Sequence, residues 1–351
     1  MSSEDGLKIG SRRVSPTDPY TIAEMGTNHD REKSVAKELI AEAAAAGVDA
    51  IKYQVYHARD IVSRRIPAGA YSFEEYYEAE TAYEVFDEHL RLPRSWFGDL
   101  TAYAAKRGLD NVATVHCPDC AEFVAGFDVQ AFKIASMDLT HLPLLETLAE
   151  YDLPVVLSTG MASFAEIHEG VRALRKNGHD DVAVLHCVST YPTEPSELNL
   201  QNIATICDAF DVTAGFSDHT LSTLPPALAV AYGASIIEKH FTLDRSRDGP
   251  DHPFALEPDE LAVLVDNVEM ASKAGGSTAR SPPDSGKRTE YRRSIVASTD
   301  IHAGETITKE SIRFARPGDG IEPKHFETVL GMTLQVDVPA ERVLEWDHFR
   351  N

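Results

Sequence analysis

Two neighbouring segments constrain this chain more than any other. Apolar Val212-Thr213-Ala214-Gly215-Phe216 runs into Ser217-Asp218-His219-Thr220, and apolar Ala234-Ser235-Ile236-Ile237 runs into Glu238-Lys239-His240-Phe241-Thr242. A helix-like stretch from Leu224 to Tyr232 lies between them. Strand, helix, strand, with ionisable groups at both C-terminal strand ends, is the sequence pattern of a (β/α)8 active site. A single histidine at such a place is more often structural. Two on adjacent strand ends, His219 and His240, could meet at one metal ion.

The same alternation extends from residue 20 to about 273. Tyr20-Thr21-Ile22-Ala23 ends in Glu24-Met25-Gly26-Thr27-Asn28-His29, and a helix from Ala36 to Ala46 follows with Gly47 as its stop signal. Asp49-Ala50-Ile51 leads into Lys52-Tyr53-Gln54. A Tyr- and Glu-rich segment, 57–92, interrupts the rhythm and reads as an insertion forming a helical lid over one end of the barrel. Helix Ser95–Arg107 then feeds Val112-Ala113-Thr114-Val115. Further strands read at Ala131–Ser136, Pro154–Gly160 and Val182–Cys187. Short, continuously apolar strands mark a parallel sheet covered on both faces, and eight with right-handed crossovers close into a barrel. An open doubly wound sheet is the alternative, but no G-x-G-x-x-G follows the first strand.

The composition changes at 275–287, a Gly/Ser/Pro-rich linker. Beyond it, 288–351 reads as a small second domain with strand-like runs at Ser294–Ala297 and Met332–Val336, leaving 1–274 as the catalytic barrel.

The chain carries 56 acidic against 33 basic residues, a net charge of −23 spread along its length. A nucleic-acid binder would show a basic stripe instead. The acidic excess fits a very soluble cytoplasmic protein, and a chain from a high-salt cytoplasm where screening relieves self-repulsion. The N-terminus lacks the basic-then-apolar pattern of a signal peptide, and no apolar run approaches a membrane span. Four cysteines in 351 residues are no disulfide framework. Cys117 and Cys120 form a C-x-x-C with no second pair to complete a zinc ribbon, so Cys117 is read as the end of a buried strand.

The strand ends collect a consistent chemistry: Glu24, Asn28 and His29; Lys52 and Gln54; Lys133, Ser136 and Asp138; Ser158, Thr159 and Gly160; Ser189 and Tyr191; Ser217, Asp218 and His219; Glu238, Lys239 and His240. Three lysines and several hydroxyls on one face would make an anion site, most simply for a phosphate. Lys52 and Lys133 lie inside apolar strands, where an unpaired charge is costly, which favours ligand contact over a snorkelling role. Glu24, Asp138 and Glu238 have a plainer reading as partners of those lysines.

Together these residues resemble the sialic acid synthase family, which includes N-acetylneuraminate, legionaminate, pseudaminate and N-acylneuraminate-9-phosphate synthases. The resemblance spans about residues 18–351. It rests on Glu24 with Asn28-His29, Lys52-x-Gln54, Lys133-Ile134-x-Ser136, Ser158-Thr159-Gly160-Met161, Tyr191-Pro192-Thr193, Gly215 to Thr220, Glu238 to Thr242 and Gly249-Pro250-Asp251. Arg316-Pro317-Gly318-Asp319-Gly320-Ile321 resembles the antifreeze-like (SAF, β-clip) domain that follows the barrel in that family.

The resemblance implies condensation of phosphoenolpyruvate (PEP) with an N-acylated hexose, such as N-acetylmannosamine or a related sugar with or without a 6-phosphate. C3 of PEP attacks the open-chain aldehyde, and water attacks C2 to give a tetrahedral intermediate that loses phosphate. It further implies a divalent cation, Mn2+ or Mg2+, held by His219 and His240. Lys52, Lys133, Ser136, Ser158 and Ser217 would bind PEP. Gln54, Asp138, Ser189, Tyr191, Asp251 and Arg316 would face the sugar. Glu24, Lys52, Glu238 and Asp251 form the catalytic set, with the choice of general base left open among the carboxylates. Arg316 would reach the site of a partner subunit in a domain-swapped homodimer. The chain departs from the family pattern at Ser189 (often Asn), Asp138 (more usually Glu), Tyr53 (commonly Phe) and His116-Cys117-Pro118-Asp119; Ser189 and Asp138 are sugar-side positions, so the resemblance implies the PEP half and leaves the exact sugar open.

Three other readings compete. A related PEP-dependent aldol enzyme of the KDO or DAHP type would lack the antifreeze-like tail. A sugar- or ice-binding protein does not explain lysines and histidines at the strand ends. A metal-dependent sugar isomerase predicts more carboxylate ligands and no phosphate site. The charge itself makes a prediction. The melting temperature should rise by many degrees from dilute buffer to molar KCl in a thermal scan, and a flat response would place the chain with ordinary mesophile enzymes.

Overall fold

Eight strands with almost every residue buried close into one parallel barrel in the computed structural model, which describes residues 6–176, 178–276 and 285–349. They are β1 (Tyr20–Glu24), β2 (Ala50–Val55), β3 (Asp110–Val115), β4 (Ala131–Ile134), β5 (Val155–Ser158), β6 (Val182–Cys187), β7 (Thr213–Asp218) and β8 (Ile236–His240). Each pairs in parallel with the next. The ring closes where Ile236 of β8 sits opposite Tyr20 of β1 and His240 opposite Glu24. The expected (β/α)8 architecture is what the chain forms.

Residues at alternate positions point to opposite sides of a strand, so each strand serves two cores. The inward set contains Ile22, Ala50, Val112, Ala131, Val156, Ala183, Leu185 and Ile236. Leu7, Ile9 and Val14, from a hairpin pairing Lys8–Ile9 with Arg12–Arg13, join the same cluster and plug the barrel at the N-terminal ends of its strands. The outward set packs under helices that follow the strands, among them Lys33–Ala46, Arg94–Ala105, Phe164–Arg175 and Pro258–Gly275. The first of these stops as the sequence predicts. Gly47 takes φ +84° and its N–H caps the carbonyl of Ala44.

The 57–92 insertion is no single lid helix. It is a string of short turns, Ala58–Ile61, Ala68–Tyr71, Phe73–Glu75, Ala82–Val85 and Phe86–Leu90. A small core of its own, including Val62, Phe73, Val85 and Leu90, holds it together. Two strand boundaries also differ from expectation. β7 runs on through Asp218, and β8 starts two residues late and runs through His240. The polar residues therefore lie within strands, where alternation sorts them.

The chain divides into two compact units after Gly276. Of the 275–287 linker, Gly275 ends a helix, 277–284 fall outside the described residues, and 285–287 open the helix Ser285–Tyr291. In the second unit β9 (Ser294–Ala297) pairs antiparallel with β10 (Ile312–Ala315) over a core that includes Ile295, Ile307, Val329 and Leu344. Met332–Val336 forms no strand there; only Thr333 makes a bridge, to Thr306. It still feeds the core, through buried Leu334 and partly buried Met332, from an extended segment with a single bridge. Among the described residues no helix is long and apolar enough to cross a membrane.

Gly215 gives the barrel its tightest strand contact. A Cβ there would stand 2.5 Å from the carbonyl oxygen of Ile236 and 2.5 Å from Leu185 Cδ2. Gly215→Ala should cost about 1–3 kcal/mol of overpacking. In urea unfolding this would appear as a lower midpoint with an unchanged slope.

Candidate active site

Glu238 sits at the centre of a buried charge cluster at the C-terminal end of the barrel. Lys52 Nζ lies 2.8 Å from Glu238 Oε1 and 3.3 Å from Glu24 Oε2. Lys133 Nζ lies 3.9 Å from Glu238 Oε2 and donates to Ser158 Oγ at 2.6 Å and to the carbonyl of Ile134 at 3.0 Å. Ser217 Oγ donates to Glu238 Oε1 at 3.0 Å, and Gln54 Nε2 to Glu24 Oε1 at 2.7 Å. Six strands thus contribute one or two inward side chains each to one knot.

Of the residues expected at the site, Glu24, Lys52, Gln54, Lys133, Ser136, Ser158, Tyr191, Ser217, His219, Glu238 and His240 line one cavity of about 200 Å³. Asp138, Ser189 and Asp251 are not among its lining residues but touch residues that are, or that neighbour them. Asp138 accepts from His116 Nδ1 at 2.6 Å, and His116 itself faces the cavity. Asp251 Oδ2 accepts from the Thr27 N–H at 3.0 Å and lies 3.8 Å from His240 Nδ1. The Ser189 hydroxyl occupies the space where a Cβ on Gly160 would stand. The Gly160 N–H meanwhile donates to Ser136 Oγ at 2.9 Å. Arg316 belongs to the second unit, where its Nε donates to the carbonyl of Tyr291 at 3.1 Å and its guanidinium lies 5.0 Å from the Tyr291 ring centroid.

Lys239 does not join the other two lysines. Its neighbours Glu238 and His240 point inward, so it points outward, where it donates to Asp218 Oδ2 at 2.6 Å and to the Thr220 carbonyl. Asp218 and Lys239 form a structural pair between β7 and β8. Asn28 and His29 also serve the frame. Asn28 Nδ2 donates to the Phe241 carbonyl at 2.9 Å, and His29 Nδ1 accepts from the Arg31 N–H at 3.0 Å.

The strand-end survey missed β3 altogether. Thr114 and His116 face the cavity two residues apart, continuing the inward register of Val112, and that spacing of two was the available signal. Cys187, the last residue of β6, faces inward by the same rule. Ile61 and Phe86 bring the insertion to the cavity wall, next to Tyr56 just before it. The buried polar atoms Tyr56 Oη, Thr114 Oγ1 and His116 Nε2 lack partners, so this wall offers hydrogen bonds to a polar ligand.

The electrostatics divide the two carboxylates. Burial alone would raise Glu238, but the Lys133 and Lys52 ammoniums outweigh it and hold Glu238 below the usual carboxylate range. Burial dominates at Glu24, against the attraction of Lys52 and with the repulsion of Glu238, and raises it to about 7. Burial lowers Lys133 to about 8, whereas the two carboxylates keep Lys52 raised. Groups pushed apart in this way are suited to separate acid and base roles.

His219 and His240 lie with ring centroids 5.5 Å apart, flanked by Tyr191 and Phe254. Burial lowers them to about 4 and about 3, so both imidazoles are neutral near pH 7. The Nδ1–H of His219 donates to the Val188 carbonyl at 2.9 Å, leaving Nε2 as the lone-pair nitrogen. His240 keeps Nδ1 buried without a hydrogen-bond partner. Neutral rings with one nitrogen oriented by a backbone carbonyl fit the requirements of divalent-cation ligands.

Comparison with known proteins agrees with this geometry. Residues 39–280 match the NeuB family and residues 292–350 match the SAF domain. The chain is similar to an uncharacterized protein of Methanocaldococcus jannaschii, 40% identical over 97% of this chain and 98% of that one. It is similar to the N,N'-diacetyllegionaminic acid synthase of Legionella pneumophila, 34% identical over 94% of each. Among solved structures it resembles the N-acetylneuraminic acid synthetase of Leptospira borgpetersenii, with TM-score 0.72, 32% identity and coverage of 81% of this chain and 94% of that one.

The raised Glu24 is testable without any substrate. A group raised to about 7 is protonated below that pH and ionised above it. The infrared band of a protonated carboxyl should therefore persist at pH 6, fade as the pH rises through about 7, and be missing in Glu24→Gln. A band that vanishes near the ordinary glutamate value would refute the assignment.

Proposed function

The chain belongs to the NeuB family, and from that premise we propose that it condenses PEP with an N-acylated hexose to give a nonulosonic acid and inorganic phosphate. One observation carries the reading. Lys52 and Lys133 are both buried in one cavity and share the single well-ionised carboxylate Glu238, while Glu24 is raised to about 7. The cluster holds more positive than negative charge, and a small, highly charged anion would balance it. Backbone and hydroxyl donors around Ser136, Ser158 and Ser217 suit the phosphate and carboxylate of PEP.

His219 and His240 would hold Mn2+ or Mg2+ beside this anion site, and such a cation when bound supplies Lewis-acid polarisation of a carbonyl oxygen. The protein's own groups account for the rest. Lys52 and Lys133 fix PEP so that C3 faces the aldehyde of the open-chain sugar. Burial beneath the insertion excludes bulk water. Glu24, able to carry a proton near neutral pH, can donate to the oxygen on which charge develops. Glu238, held ionised, is placed to accept a proton from the water that attacks C2. Loss of phosphate from the tetrahedral intermediate then completes the reaction. His116, with Asp138 fixing its ring, and the orphaned Tyr56 Oη and Thr114 Oγ1 face the space left for the sugar. Arg316, in the motif Arg316 to Ile321 of the SAF domain, would bind the N-acyl group from a partner subunit of a domain-swapped dimer; the motif supports this role.

The test is phosphate release from PEP against a panel of N-acylated hexoses with and without a 6-phosphate. Activity should vanish after chelation and return with Mn2+ or Mg2+. Lys133→Ala should raise the PEP KM about tenfold or more, the worth of a charged hydrogen bond, and spare the sugar KM. Phosphate release with no N-acylated sugar, or only with unacylated phosphosugars, would defeat the reading.

A further inference from the structure

The C-x-x-C pair occupies a place that neither the barrel core nor the proposed reaction accounts for. Cys117 and Cys120 open the helix Pro118–Ala125 directly after β3, and their sulfurs stand 2.6 Å apart. That is closer than two unbonded sulfurs rest, and a bond of about 2.05 Å is within reach of a small adjustment. Cys117 is the N-cap of the helix, and its sulfur accepts the Cys120 N–H at 3.3 Å. Arg94 Nη2 donates to Cys120 Sγ at 3.3 Å and to Asp119 Oδ2 at 2.7 Å. His57 Nε2 closes the ring of contacts on Asp119 at 2.8 Å. Cys117 keeps 9% of its surface exposed and Cys120 none.

We propose that Cys117 and Cys120 form a reversible dithiol–disulfide couple that exchanges with small thiol disulfides. Cys117, the more accessible sulfur, loses its proton to solvent and attacks one sulfur of a low-molecular-weight disulfide. A mixed disulfide forms and one small thiolate leaves, taking up a proton. Cys120, held against Cys117 and contacted by the Arg94 guanidinium, then attacks Cys117 Sγ and expels the second thiol, which takes up the Cys120 proton. The protein loses two electrons and two protons, and the small disulfide becomes two thiols. Burial raises the Cys117 thiol, so exchange at neutral pH is slow and the couple is read at equilibrium. The bond would tie the turn from which His116 projects into the cavity, linking thiol state to the third strand's end. Nearby carboxylates and His57 could instead complete a metal site with these sulfurs, since Asp60, Cys117 and Cys120 cluster within 4.8 Å. The guanidinium on Cys120 disfavours a cation there.

The full-length protein is equilibrated overnight in buffers of graded reduced and oxidised glutathione, unfolded, alkylated and digested. The tryptic peptide Gly108–Lys133 should pass from two alkyl groups to none, two hydrogens lighter, at a defined ratio, whereas exposed Cys207, with no neighbouring thiol, should at most gain a glutathione adduct. Cys117→Ser and Cys120→Ala should each keep the remaining thiol of that peptide free of any internal bond. Both thiols alkylated at every ratio in folded protein would overturn the proposal, as would one tightly held zinc per chain that shields them.

Discussion

A carboxylate between two ammonium groups inside a β-barrel sets the terms for the rest of this structure. Glu238 can be buried only because Lys52 and Lys133 face it, and each lysine can be buried only because Glu238 is there. The arrangement requires β2, β4 and β8 to present inward side chains at matched height, which the closed parallel register provides. Hydrophobic packing fills the lower barrel, where Ile22, Ala50, Val112, Val156 and Ile236 meet, and polar side chains take over two residues further along the same strands. Fold and site are therefore the same strands read at two heights.

Much of this was legible in the sequence. Continuous apolar runs at regular spacing give the barrel, and the polar residues at their ends give Glu24, Lys52, Gln54, Lys133, Ser158, Ser217 and Glu238. The alternation of neighbours within a strand was the part under-used. Reading polar residues as lying past the strand ends put Lys239 beside Lys52 and Lys133, although a strand running through His240 must turn Lys239 to the opposite face. The same rule, carried through β3, would have brought in Thr114 and His116. The family resemblance sets Asp138 against the sugar, and the plainer reading pairs it with a lysine. Its partner turns out to be His116, 22 residues away, a contact that no local pattern encodes.

The insertion shows a different limit. Its composition of Tyr and Glu suggests helix, yet it folds as five short turns around Val62, Phe73 and Val85. Loop segments of this kind are held by a few side-chain contacts, such as the Thr81–Glu84 capping box, and those are visible only when the ends are already fixed by the strands on either side. Its contribution to the cavity is correspondingly specific: Ile61 and Phe86 in the lining.

The hairpin that plugs the floor of the barrel has a kinetic consequence. Leu7, Ile9 and Val14 seal the end opposite the cavity, so one mouth serves for both entry and exit. Lys133 and Ser158 lie at the bottom, 1% and 3% exposed, while Tyr191 near the opening is 52% exposed. Under the proposed reaction, a molecule seated against Lys133 would enter before the one lying above it and leave after it, an order set by depth in a cavity closed at its floor.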